Sequence, residues 1–165
     1  MTTDTATIES LIVKLGKGHS GPERAHARDE LVKIGSAAVP YLVAATRDQD
    51  SQRRWEAGKA LGGMGDGRAV PALVAMLEDK DSGNRWVAAH GLGTMGKPAV
   101  VAVMQALIDR AGSVWLRDGA HHVLHDMAGS YLGSTIAPVL QALEQSDAES
   151  LAPIAAHEAL LKLGA

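Results

Sequence analysis

Apolar residues along this chain recur at helical spacing in short runs, separated by breaks rich in Gly, Asp and Pro. Ile8, Leu11, Ile12 and Leu15 share one face of a first helix that Asp4 can cap and that Gly16 and Gly18 end. Ser20-Gly-Pro-Glu23 then reads as a capping box with Pro22 near the start, opening a helix that Gly35 stops. A short helix follows through Val39, Leu42 and Val43, with Pro40 in its first turn, where a missing N–H costs little. The same alternation predicts helices near 51–64, 67–78, 82–95, 97–110, 113–127, 134–145 and 149–163, with Ser51, Ser82 and Ser113 as N-caps. Ten helices with short turns make five consecutive pairs in one domain, approximately 4–35, 36–65, 66–96, 97–128 and 131–165. Gly129 to Ser134 breaks the period, so an irregular loop is expected there.

The chain repeats itself most plainly in SQRRWEAGKALGGMG from Ser51 and SGNRWVAAHGLGTMG from Ser82. Self-similarity at such a period indicates an array in which one unit buries its apolar face only when a neighbour stacks on it. The second helices align on a central leucine: Leu31, Leu61, Leu92, Leu124 and Leu160. Four residues earlier stand Ala27, Ala57, Ala88, Ala120 and Ala156; seven earlier stand Arg24, Arg54, Arg85 and Arg117, with Pro153 in the last. At about 100° per residue these positions share a face, where small Ala lets the next helix approach. A guanidinium on that packing face needs acceptors, expected from the acidic turns holding Asp48, Asp50, Asp79, Asp81 and Asp109.

Positions two and six before the leucine point the other way. The first set is Asp29, Lys59, His90, His122 and Glu158; the second is Trp55, Trp86, Asp118 and Ile154, with Trp115 one turn from Asp118. Three indoles are therefore expected on adjacent helices of one open surface, where large apolar groups serve as binding anchors. The alternative is that each Trp fills a gap beside Gly58, Gly62, Gly63, Gly91 or Gly119. Glycines 58, 62 and 63 together cost about 3 kcal/mol of helix propensity, a loss that close helix approach would offset.

Composition narrows the classes. The chain has 165 residues, no Phe and no Cys, so disulfides, thiolate nucleophiles and Cys-based metal sites are excluded. A formal charge of −3 gives no overall attraction to nucleic acid or anionic membrane. The first residues lack a signal-peptide pattern and no apolar run is long enough to span a bilayer, so a soluble cytoplasmic protein is the default. The chain closes on Leu163-Gly164-Ala165 without a polar capping helix, which leaves end-to-end self-association open.

His121, His122, His125 and Asp126 form the densest polar cluster, with His121/His125 and His122/Asp126 each one turn apart, the spacing of paired metal ligands on a helix. His121 turns toward the packing side and His122 toward the open side, so all four cannot converge on one ion, and a third ligand would have to come from His90 or His157. We assign no metal. The open faces mix Arg53, Lys59 and Lys33 with Asp29, Glu56, Asp118, Asp126 and Glu158, which leaves only a small basic patch at 53–59.

The pattern Arg-x-x-Ala-x-x-x-Leu-Gly-x-Met-Gly of Arg54–Gly65 and Arg85–Gly96, followed by Ala69-Val-Pro-Ala-Leu73, resembles HEAT repeats, specifically the short HEAT-like repeats of phycobilisome-lyase type, over roughly residues 20–165. That resemblance implies an all-α, right-handed α-solenoid whose second helices line the concave side. Its members include adaptors, scaffolds, lyase subunits and some enzymes. The His157-Glu158 pair is similar to the His-Glu pairs of deoxyhypusine hydroxylase, but the aligned positions of the other repeats hold none. Trp86, Trp115 and Asp118 resemble the groove of HEAT-like alkylpurine DNA glycosylases, without the Lys/Arg excess a duplex requires. We therefore expect a non-catalytic module, without cofactor, that binds a protein or peptide through Trp55, Lys59, Trp86, His90, Trp115, Asp118 and His122. The runner-up is a lyase-like subunit that binds a small ligand or tetrapyrrole chromophore; a DNA glycosylase comes third.

Overall fold

The computed structural model describes residues 4–165, all helix and turn. The elements are α1 (Thr5–Lys14), α2 (Gly21–Ile34), α3 (Val39–Ala45), α4 (Ser51–Met64), α5 (Val70–Met76), α6 (Ser82–Leu92), α7 (Lys97–Arg110), α8 (Val114–Met127), α9 (Gly133–Leu143) and α10 (Ala148–Leu163). Short 3-10 turns, Gly35–Ala37 and Gly67–Ala69, lead into α3 and α5, so the element expected at 67–78 is divided and shorter.

Capping explains most boundaries. Asp4 caps α1, accepting from the Ala6 N–H, and Ser20 and Glu23 form the reciprocal capping box of α2. Of the three serines expected as N-caps only Ser113 is one, accepting from the Leu116 N–H at 3.2 Å. Ser51 and Ser82 lie inside their helices, and the caps fall one residue earlier, on Asp50 and Asp81. Asp50 accepts from the Gln52 N–H at 3.0 Å, whereas Asp81 makes no side-chain capping bond and gives its carboxylate to Arg54.

The helices form two layers. α2, α4, α6 and α8 stack side by side, and α1, α3, α5 and α7 back them. Leu31, Leu61, Leu92 and Leu124, with Ala27, Ala57, Ala88 and Ala120 one turn earlier, are fully buried between the layers, as the alignment requires. α4 and α6 approach closely at Gly62 and Gly91, where a Cβ added to Gly62 would stand 2.8 Å from the Gly91 Cα. Gly62 thus lets the α4 and α6 backbones come together, which offsets its low propensity with packing.

The last pair enters these layers in reverse order. α9 packs along α8, and α10 packs along α7 in the first-helix layer. Lys97 Nζ, at the start of α7, donates to the Leu163 carbonyl at 2.9 Å, while His121 of α8 lies 3.4 Å from Glu144 just past α9. The open ladder expected to run on through Ile154 and Glu158 therefore ends at α8. Ala156 and Leu160 of α10 are buried, but a buried stripe specifies only that a helix faces the core, not which layer it joins.

The recurring arginines have one shared partner that differs from expectation. Each Nη1 reaches back to carbonyls of the turn before its own helix: Arg24 to His19, Arg54 to Asp48 at 2.9 Å, Arg85 to Asp79 at 2.8 Å and Arg117 to Ala111. These carbonyls lie in the turns between the two helices of each pair, outside the helical ladders, so the guanidinium supplies hydrogen bonds that no helix provides. Only Arg54 also takes the expected Asp carboxylates, those of Asp79 and Asp81. Asp50 and Asp109 instead accept from Lys17 N–H and Gln105 Nε2.

Candidate interaction face

Helical spacing and layer order together build the surface. On α4, Lys59 stands one turn beyond Trp55 and places its Nζ 4.7 Å from the centre of the indole. On α6, His90 stacks on Trp86 with centroids 5.3 Å apart and an interplanar angle of 1°. His122 of α8 meets the same indole edge-on at 6.5 Å. At the start of α8, Trp115 lies under the guanidinium of Arg85 from α6, 4.8 Å from ring centre to Cζ. Trp86 is 54% exposed and Trp115 45%. Asp118 is exposed one turn past Trp115.

Trp55 differs from the other two. It is partly buried and packs against the hydrophobic core, close to Gly83. The gap-filling role considered for the indoles falls to other side chains at the named glycines: Met76 and Val87 occupy the space at Gly58, and Leu77 that at Gly119. Trp86 and Trp115 remain outside the core.

The charge pattern is corrected at two positions. Glu56, expected on the open face, is buried and accepts from Arg28 Nη1 at 2.7 Å, with Arg24 Nε at 3.5 Å. Arg53 pairs with Asp48 at 2.7 Å, so the basic patch expected over 53–59 contracts to Lys59. Sequence spacing missed Arg85 as part of the site. It sits seven residues before its leucine, like Arg54, but its neighbour in the next repeat is Trp115.

The four side chains of the histidine cluster line one open depression beside Asp118. His121 faces α9, near Glu144, and stacks with His125 at 6.0 Å, while His122 faces Trp86 and lies 3.4 Å from Asp126. Among the described residues no group of three His, Cys, Asp or Glu side chains is placed to hold a metal ion. Beside the indoles, α4 and α6 enclose a hollow of about 450 Å³ with Gly62, Gly63 and Gly91 on its floor and Lys59 and His90 on its sides. Among the described residues no helix is long and apolar enough to cross a membrane.

A family model described as HEAT repeats matches residues 8–85 and 39–125, well over half the chain. The chain belongs to the HEAT-repeat family. The matched stretch of this HEAT array ends within α8, and the reversed hairpin lies beyond it. Among solved structures the array is similar to a chain of the complex of CpcE and CpcF of phycocyanin lyase from Nostoc sp. PCC7120. The two share 26% identity with a TM-score of 0.64, over 94% of this chain and 99% of that one. No curated protein matches it.

Proposed function

We propose that this HEAT array is a non-catalytic interaction module that binds a protein partner on the face of its second helices. The observation that carries the reading is the pair Trp86 and Trp115, about half exposed on adjacent helices although no core gap requires them. Indoles held by His90 and Arg85 are rigid before a partner arrives, so docking loses little side-chain freedom and gains the burial of two large apolar groups. Lys59, His90, Asp118 and His122 supply the polar contacts that set register, with Trp55 as a firmer, partly embedded anchor. The similar solved chain comes from a complex of two proteins, which supports a protein as the kind of partner. Affinity capture from native lysate tests this. Trp86→Ala combined with Trp115→Ala should lose the captured protein while far-UV circular dichroism stays unchanged; equal capture by wild type and variant rejects the reading.

A second reading, a lyase-like subunit holding a flat tetrapyrrole, is supported by the likeness to a phycocyanin lyase chain and by the glycine-floored hollow beside Lys59 and His90. It predicts saturable quenching of the exposed indoles by a free linear tetrapyrrole. Emission that stays constant through the titration removes it.

A further inference from the structure

The chain as a whole is acidic, yet the middle of its second-helix face is not. α6 contains no Asp or Glu, and the single acid of α4 is the buried Glu56, already bonded to Arg28. The carboxylates of the neighbouring turns are committed as well, Asp79 and Asp81 to Arg54 and Asp48 to Arg53. Lys59 is exposed and, among the described residues, neither it nor Arg85 forms a salt bridge. Arg85 gives only its Nη1 to the carbonyls of Asp79 and Lys80, so the rest of its donor fork has no protein partner, while its Cζ stands 4.8 Å from the centre of the Trp115 ring. Exposed acids lie on the flanking second helices, Asp118 and Asp126 on α8 and Asp29, paired with Arg28, on α2, and so bound the patch on both sides.

Resting on the reading of this face as an interaction surface, we propose that its partner is an acidic protein segment. The segment sets carboxylates on Lys59 and Arg85 and seats an apolar side chain against Trp86 and Trp115. A guanidinium set over the Trp115 ring and tied through Nη1 keeps its Nε and Nη2 donors for a carboxylate, and the ammonium of Lys59, in no salt bridge among the described residues, adds attraction on the α4 side. Asp118 and Asp126 repel the same segment if it slides toward the middle of α8, which fixes its register. A nucleic acid would need a track of phosphate contacts, whereas this patch offers two permanent cations on a chain of formal charge −3.

The full chain is titrated, by calorimetry and tryptophan emission, with three synthetic amphipathic helical peptides that differ in one face each: Glu with Leu, Lys with Leu, and Glu with Ser. A single-stranded oligothymidylate serves as the fourth probe. The Glu/Leu peptide is expected to bind most tightly, to weaken with added salt, and to weaken several-fold with Lys59→Glu, an exposed position whose change leaves the fold intact. Arg85→Gln should act in the same direction. If the Lys/Leu peptide binds as well as the Glu/Leu peptide, the acidic assignment is wrong while the indole face stands. If the Glu/Leu peptide binds but Trp86→Ala with Trp115→Ala leaves its affinity unchanged, the face itself is wrong. Failure of the Glu/Leu peptide to bind, or tighter binding of the oligothymidylate, overturns the proposal.

Discussion

Arg54 donates from Nε and Nη2 to the two carboxylate oxygens of Asp79, at 2.7 and 3.0 Å, across the junction between two helix pairs. Each side chain is 7% exposed, and the same Nη2 also reaches Asp81 at 2.7 Å. Two parallel bonds in a water-poor junction fix both distance and angle between the units. Arg54→Met should cost about 3–5 kcal/mol in urea unfolding, because it strands a buried carboxylate. Changing Asp79 to Leu as well should recover part of the loss. A cost below about 1 kcal/mol for the single variant would mean that the pair behaves like an exposed one.

Acid should loosen the same junction. Burial raises the Asp79 carboxyl, but hydrogen bonds from Arg54, the Asp81 N–H and Asn84 outweigh it and hold the group below the ordinary aspartate range. Asp48 and Asp50 are lowered in the same way, against burial, by backbone N–H groups and Arg53. A carboxyl whose folded value is depressed stabilises the fold fully above its unfolded value, about 3.9, and loses that contribution as pH falls through the folded value. Stability should therefore be flat toward neutral pH and fall below about pH 4, with a shallower fall in Asp79→Asn. Urea midpoints across that range check it, and an unchanged acid slope in Asp79→Asn refutes it.

Gly62 and Gly63 are adjacent in α4 but should respond oppositely to alanine. A methyl at position 62 meets the Gly91 backbone at 2.8 Å and forces α4 and α6 apart, so Gly62→Ala should lose about 1–3 kcal/mol. A methyl at position 63 meets nothing within 4 Å, and Gly63→Ala should gain about 0.5–1 kcal/mol by helix propensity. Denaturant midpoints that move in the same direction would refute the contrast.

Trp55 and Trp86 should separate by stability. Trp55 packs on the core, so Trp55→Ala should cost about 1–2 kcal/mol by lost apolar burial. Trp86→Ala, at a mostly solvated ring, should stay within about 0.5 kcal/mol. Thermal unfolding of both variants distinguishes an embedded anchor from a presented one, and equal losses would place Trp86 in the core.

Local pattern determined much of this protein. The Ala/Leu stripe of Leu31, Leu61, Leu92 and Leu124, the breaks at Gly35 and Gly65, and the twin motifs at Ser51 and Ser82 specify ten amphipathic helices that must stack, because a helix's buried face is set by residues one turn apart on that helix. The same spacing placed Trp86, His90 and His122 on one side of their helices. Three things depended on partners distant in the chain. Glu56 went inward because Arg28 of the preceding pair neutralises it, Arg85 joined the site because Trp115 of the following pair lies beneath it, and α10 crossed to the first-helix layer because α7 received its apolar stripe. Charge pairing and layer choice are contacts between elements, and helical periodicity carries information about only one element at a time.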